Sequence, residues 1–367
     1  MKKIMIVIPS LADGGAERVA SLLSRNFPED IETVFALFDG KIEYSFRGRA
    51  VDLKLSARPG FFNKVANVAK RYFALKKLIA AEKPDAILSF MESANLINIL
   101  CSGKKAVVSV RVHPSTNYAG SFFDRLIVKL YNRAGRIIAV SKSIIDDLEK
   151  NFGISRGNVT AIYNPANAEE VRVLAKEPLD GRYEEIFNGA RVVITAGRLN
   201  PQKGHADLLK AFCIAEKESA KSGEKLRLVI MGRGELEKEL KELAAGLGIS
   251  NSVFFMDFQK NPFKFIKKSQ LFVLSSRYEG FPNSIIEAML CGVPIVSTDC
   301  PTGPAEIFEK GGFGNLTRVG DVEELAAAMS KFLKRDNSDM LGFYDEKLKE
   351  FDAGLVALEY LKVCGLK

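Results

Sequence analysis

The sequence predicts an α/β protein of two doubly wound, Rossmann-like domains facing a central cleft. Three observations lead there. Apolar, β-prone runs alternate with helical patterns along the chain. The runs are continuous rather than alternating, as in strands buried on both faces of a parallel sheet. At 367 residues the chain is too long for one ordinary domain and comfortable for two.

The elements follow in order. "KIMIVIP", residues 3–9, reads as a buried first strand. It is too short for the core of a secretory leader, lacks a small-residue cleavage site and runs into Gly-Gly-Ala-Glu. The glycine turn of "SLADGGAER" opens the helical pattern "AERVASLLSRNF". "DAILSF", "AVVSVRV" and "RIIAVS" supply further strands of the first half. "IYNPANAEEV", with its Asn and Pro breakers, reads as a hinge that separates a domain over 1–165 from one over 166–349. "ARVVITAGRL", residues 190–199, then restarts the same logic, with the loop "NPQKG" and the helix "HADLLKAFCIAEK". "LRLVIMG", "SVFFMDF", "LFVLSS" and "PIVSTD" continue it.

Composition narrows the function classes. Hydrophobic residues at 47% and charged ones at 27% are globular proportions, and no apolar run reaches the ~18 residues of a spanning helix. The five cysteines are scattered without a metal-ligand spacing, which suits free thiols in a reducing cytoplasm. The formal charge of +8 favours acidic partners: nucleic acid, anionic lipid or phosphorylated small molecules. Nucleic acid fits poorly, because the chain has no tryptophan and no recognised nucleic-acid module. A dinucleotide oxidoreductase fits poorly as well, because neither "SLADGGAER" nor "MGRGELE" has the Gly-x-Gly-x-x-Gly spacing.

Ligands of open parallel sheets sit beyond the carboxyl ends of the strands. The unusual residues of this chain fall in those loops. In "RYEGFPNSIIEAMLCGVP", residues 277–294, Glu279 and Glu287 flank a Gly-Phe-Pro turn and the start of a helix. Asn283 or Ser284 suits the cap of that helix, and Pro282 suits its start. A helix N-terminus attracts anions, and carboxylates accept hydrogen bonds from diols. The arrangement therefore suits a diphosphate on the amides, with one sugar against Glu279 and a ribose against Glu287. A capped helix with solvated glutamates is the plain alternative. In "GRLNPQKG", Arg198 and Lys203 offer a fork and a point charge to phosphate oxygens. A solvated basic loop is the alternative there, and a carboxylate pair on a neighbouring strand end argues against it.

"GRLNPQKG" followed by "RYEGFPNSIIEAMLCGVPIVSTDCPTGPAEI" resembles glycosyltransferase family 4, the retaining, sugar-nucleotide-dependent enzymes of GT-B fold. "SLADGGAER" and "RVHP" are similar to that family too. The resemblance implies catalytic roles for His113, Arg198, Lys203 and Glu279. Arg198 and Lys203 would neutralise the departing diphosphate, Glu279 would contact the donor sugar, and Glu287 would bind the ribose. Phe281, Pro282, Asn283 and Ser284 would present donors to sugar and diphosphate. Phe258 and Gln259 match the loop whose backbone reads the base, and Gly14 and Gly15 would let the first helix approach the diphosphate or acceptor. Arg233 stands where many relatives carry an acid. Residues 350–367, holding "FDAGLVALEYLK", would pack back on the first, acceptor-binding domain.

The acceptor side rests on "FFNKVANVAKRYFALKKLIAAEK", residues 61–83. Phe61, Val65, Val68, Tyr72, Leu75 and Ile79 recur at helical spacing, and Lys64, Lys70, Arg71, Lys76 and Lys77 form a basic surface. Such a helix suits an anionic bilayer or a phosphorylated acceptor; a core-packed helix with a solvated lysine face is the plain alternative, and the two readings can coexist. The resemblance in "SLADGGAER" and "STDCPTGPAEI", with the basic helices that similar transferases carry in this region, implies the bacterial glycan-assembly branch. There the donor would be a UDP-sugar, an N-acetylhexosamine among the candidates, and the acceptor a glycan or a polyprenyl-diphosphate-linked oligosaccharide. The enzyme would be cytoplasmic and peripheral at the inner face of the cell membrane, with no cofactor and no metal. Asp146 and Asp147, in "IIDDLEK", read as polar-face residues of a helix rather than as metal ligands. Two alternatives stay open: another nucleotide sugar with a soluble small-molecule acceptor, and a non-catalytic, membrane-associated scaffold that binds sugar nucleotides.

Overall fold

The computed structural model describes residues 1–12, 14–56, 61–117, 122–308, 314–335 and 340–367. The chain forms two compact units, Met1–Ala166 with Glu350–Lys367, and Asn167–Lys349.

The first unit holds a seven-stranded parallel sheet. Its strands are β1 (Lys2–Ile8), β2 (Ile31–Leu37), β3 (Arg49–Asp52), β4 (Ala86–Phe90), β5 (Ala106–Val110), β6 (Arg136–Ala139) and β7 (Val159–Ala161), in the order β3-β2-β1-β4-β5-β6-β7. β1 lies in register against β2 from Lys2↔Ile31 to Ile8↔Leu37 and against β4 from Ile4↔Ala86. Its side chains from Ile4 to Ile8 are fully buried, which explains the unbroken apolar run. On one face the sheet packs with Val19, Ala20 and Leu23 of helix Gly15–Asn26 and with Val356, Ala357 and Tyr360 of helix Ala353–Val363. Tyr360 stacks on Phe90 with ring centroids 6.2 Å apart. The closing helix is thus part of the first unit's core.

The other face receives helix Phe61–Glu82, and here the expected surface changes. Leu75 is buried and Val68, Leu78 and Ile79 pack beside it, but Val65 is exposed. Arg71 is not on the basic surface. Its guanidinium donates twice to the Leu55 carbonyl, at 3.1 and 2.8 Å, and lies 4.2 Å from the Phe38 ring centroid. Arg71 stands three residues after Val68 and four before Leu75, so it shares their inward stripe. Burial pulls its guanidinium below the usual arginine range. Lys70, Phe73 and Lys77 are exposed and share the outward face. The Lys64 side chain lies outside the described residues. Among the described residues, no helix is long and apolar enough to cross a membrane.

The second unit holds a six-stranded parallel sheet. Its strands are β8 (Arg191–Ala196), β9 (Leu226–Met231), β10 (Val253–Met256), β11 (Leu271–Leu274), β12 (Ile295–Thr298) and β13 (Asn315–Thr317), in the order β10-β9-β8-β11-β12-β13. The chain winds one way from β8 to β10 and the other way from β11 to β13. The reversal sits between β8 and β11, which pair from Leu271↔Val193. At such a reversal the chain leaves adjacent strands towards opposite faces of the sheet, and ligands bind beyond the carboxyl ends of those strands. The loops after β8 and β11 carry Arg198, Lys203 and Glu279.

Candidate active site

The loop after β8 is zipped onto the loop after β11. The Arg277 amide donates to the Gln202 carbonyl at 2.7 Å, and Gln202 Nε2 donates to the Tyr278 carbonyl at 2.9 Å. Ser275 Oγ donates to the Lys203 carbonyl at 2.8 Å. Gly204 closes the turn at φ +62°, and a Cβ there would overlap the Ser275 carbonyl oxygen, so the position demands glycine on both counts. The zipper delivers Lys203 Nζ to Glu279 Oε1 at 2.5 Å, a pair whose side chains are 17% and 8% exposed. The sequence suggested a cation pair and a carboxylate pair. The fold instead joins one member of each.

Three of the four polar atoms of Glu279 are engaged. Ser276 Oγ donates to the same Oε1 at 2.6 Å. The Thr302 hydroxyl donates to the Glu279 carbonyl, and the Glu279 amide reaches Pro301 O at 3.4 Å. Thr298 Oγ1 donates to Ser276 O at 2.5 Å. None of Ser276, Gln202 and Thr302 was singled out in the sequence. The available signal was position, since all three lie in strand-end loops. Arg198 is exposed, and among the described residues no hydrogen bond or ion pair engages its guanidinium.

Helix Asn283–Leu290 starts differently from the expectation. Pro282 is its N-cap, Asn283 is already helical, and no side chain caps it. Asn167, Ser141, Asp321 and Asp352 each cap the helix they precede. Helices Gly15–Asn26 and His205–Ala220, which follow β1 and β8, are likewise without a side-chain cap. Phe281 and Pro282 are buried, while Asn283, Ser284 and Glu287 are partly exposed. His205, next to the glycine turn, is buried, and burial with the nearby Lys203 charge pushes its pKa down to about 4.

After β10, the loop bearing Phe258 and Gln259 is braced from within. Asp257 Oδ1 accepts the Phe258 amide at 2.6 Å, and Gln259 Nε2 donates to Asp257 O at 3.0 Å. Arg233 forks onto the Asp257 carboxylate, with Nη2 to Oδ2 at 2.7 Å. Arg233 and the Phe258 amide hold that carboxyl below its usual range. Phe258 itself stays 65% exposed.

In the first unit, Gly14 is the N-cap of helix Gly15–Asn26. A Cβ on Gly14 would overlap the Glu17 carboxylate, whereas a Cβ on Gly15 would meet open space. That carboxylate is the far end of a flexible side chain and can shift, so neither position by itself demands glycine. His113 lies past the end of β5 and heads helix Pro114–Asn117. Its Nδ1 accepts from the Thr116 amide at 3.4 Å and lies 3.0 Å from Thr116 Oγ1. A ring that accepts at Nδ1 carries its proton on Nε2 when neutral. The Asp147 carboxylate stands 3.5 Å from Nδ1. Asp147 is buried, accepts the Ser115 amide at 2.9 Å together with the Ser115 hydroxyl, and also accepts Asn151 Nδ2 at 2.6 Å. That corrects its reading as a polar-face residue. Asp146 does face solvent, where it pairs with Arg156. Among the described residues, no group of three or more His, Cys, Asp or Glu side chains could hold a metal ion.

Comparison with known proteins gives this arrangement a family. The pattern described as "Glycosyltransferase Family 4" matches residues 13–170, and that described as "Glycosyl transferases group 1" matches residues 180–345. The chain is 30% identical over 380 residues, 99% of each chain, to the Campylobacter jejuni N-acetylgalactosamine-N,N'-diacetylbacillosaminyl-diphospho-undecaprenol 4-alpha-N-acetylgalactosaminyltransferase. It is 33% identical over 255 residues, 66% of this chain and 62% of that protein, to an uncharacterized glycosyltransferase of Methanocaldococcus jannaschii. Anabaena HepE, crystallised with UDP-glucose, superposes over 100% of both chains with a TM-score of 0.80 at 21% identity, which gives the GT-B fold. The chain is a glycosyltransferase and belongs to glycosyltransferase family 4.

Proposed function

We propose that the enzyme transfers a sugar, with retention of configuration, from a UDP-sugar to a polyprenyl-diphosphate-linked glycan during bacterial glycan assembly. The donor sugar in this reading is an N-acetylhexosamine. The observation that carries it is the ion pair of Lys203 with Glu279, set beside an unengaged Arg198 at the reversal point of the second sheet. UDP as carrier is supported by the HepE complex with UDP-glucose. A lipid-linked acceptor is supported by the name of the Campylobacter relative, which spans the whole chain.

In this reading the diphosphate lies along the uncapped start of helix Asn283–Leu290, near the Asn283 and Ser284 amides, where the helix dipole favours negative charge. Lys203 spends one of its three N–H donors on Glu279 and has two left for phosphate oxygens. Arg198 adds its fork. As the bond from the sugar to the diphosphate lengthens, charge grows on the phosphate oxygens, and fixed cations and amides stabilise it more than they stabilise the ground state. The acceptor oxygen attacks the face the diphosphate leaves, and its proton passes to the departing phosphate. Glu279 orients the sugar and Glu287 the ribose, and the Phe258 carbonyl and ring and Gln259 face the base. His113 supplies an Nε2–H donor. No metal ion takes part. Lys70, Phe73 and Lys77, on the outward face of helix Phe61–Glu82, set an aromatic ring between two cations, as suits an anionic membrane surface.

The test is a panel of UDP-, GDP- and dinucleotide-linked compounds incubated with enzyme and a bacterial membrane lipid extract, with products read by mass spectrometry. The reading expects a hexosamine mass increment on a lipid-linked glycan from a UDP-sugar alone. Transfer only from a GDP-sugar, or only onto a water-soluble acceptor, would refute it.

A further inference from the structure

We propose that Ser276 is a positioning residue for Glu279: with Lys203 it commits Oε1, so that Oε2 alone is offered to the donor sugar. The inference rests on the reading that Glu279 orients that sugar. The geometry is specific about which oxygen is taken. Ser276 Oγ and Lys203 Nζ both end on Oε1, at 2.6 and 2.5 Å. A carboxylate oxygen has two lone pairs, so both on Oε1 are filled. Among the described residues no hydrogen bond reaches Oε2, and it is not walled off from solvent.

The serine itself cannot drift. Its side chain is 0% exposed, and its carbonyl holds Thr298 Oγ1 at 2.5 Å. Two donors arriving on one oxygen from different elements fix the rotation of the carboxylate plane, which one donor alone would leave free to swing. The plane in turn sets where Oε2 points. A neutral serine does this without cancelling the carboxylate charge, which Lys203 already balances. The consequence is selective. Oε2 keeps two lone pairs, which suit two hydroxyls of one ring or a hydroxyl and an acetamido N–H, in one orientation only.

A double-mutant cycle tests this, using the full chain, membrane lipid extract as acceptor, and UDP-N-acetylgalactosamine, UDP-N-acetylglucosamine, UDP-galactose and UDP-glucose in parallel. Ser276→Ala should lower kcat/KM about 10- to 100-fold, the usual worth of a hydrogen bond to a charged group. In the Glu279→Ala background the same substitution should change kcat/KM less than about twofold, because contacting residues that act as a unit are not additive. Losses that multiply would mean Ser276 acts independently of Glu279, which overturns the proposal. Ser276→Cys nearly preserves volume but supplies only a weak donor. It should lose as much as Ser276→Ala, and a wild-type rate in the cysteine variant would show that the serine merely fills space. A normal rate in Glu279→Ala alone would overturn the donor-site reading, and this proposal with it.

Discussion

Arg198 and Lys203 stand on one loop, yet removing them should have different consequences. The Arg198 guanidinium is exposed and engaged by nothing in the described structure, so Arg198→Ala should leave stability within about 0.5 kcal/mol. Lys203 is one half of a largely buried ion pair. Lys203→Ala strands the Glu279 carboxylate with Ser276 as its one remaining side-chain partner. Breaking a buried pair from one side costs about 3–5 kcal/mol, and the surviving serine bond favours the lower end. For a domain of this size each kcal/mol is worth about 2–4 °C, so the melting point should fall by roughly 10 °C. Both variants should lose about 10²–10³ in kcat if their cations meet the growing phosphate charge. Transfer rates and calorimetric melting on the same preparations separate the two effects. An Arg198→Ala enzyme with near-normal turnover would refute the electrostatic mechanism. A Lys203→Ala enzyme that melts with the wild type would refute the ion pair as a structural element.

Three further outcomes follow. His205 is buried with its pKa lowered to about 4 from an ordinary 6.5. Between those values the unfolded chain takes up the proton first, so stability is lost as pH falls from about 6.5 to 4, by about 3 kcal/mol in all. The difference in urea stability between wild type and His205→Asn should therefore shrink as pH falls through that window, and a pH-independent difference contradicts the assignment. Tyr360→Ala removes a fully buried ring stacked on Phe90 and should cost about 3–5 kcal/mol in denaturant melts, with no loss there meaning that helix Ala353–Val363 is dispensable to the first unit. Transfer should persist in excess EDTA, and activity that vanishes with chelator and returns with a divalent ion contradicts the metal-free scheme.

The sequence made the doubly wound fold legible through strands buried on both faces, which announce themselves as apolar runs. β3 and β13 lacked that signal. They are four and three residues long, lie at sheet edges and pair on one side only, so no periodicity marks them. β2, "IETVFAL", is masked in the sequence because Glu32 and Thr33 interrupt its apolar run. In the site, Arg198, Lys203 and Glu279 were findable because strand-end loops are where ligands bind. Their connection was not, since Lys203 and Glu279 are 76 residues apart and meet only through strand order. Charge, not periodicity, put Arg71 and Asp147 on the wrong face, since Arg71 sits at helical spacing from Val68 and Leu75. Helical spacing says which way a residue points, but not that a guanidinium will find the Leu55 carbonyl or a carboxylate the Ser115 amide. The cap assigned to Asn283 or Ser284 was off by one or two positions, because Pro282 takes that place without a capping side chain.

The most direct measurement is a crystal structure of the enzyme soaked with a UDP-sugar. The account predicts phosphate density within hydrogen-bonding distance of Arg198, Lys203 and the first amides of helix Asn283–Leu290, with the sugar against Oε2 of Glu279 and the ribose against Glu287. Density for the diphosphate away from the loops after β8 and β11 would contradict it.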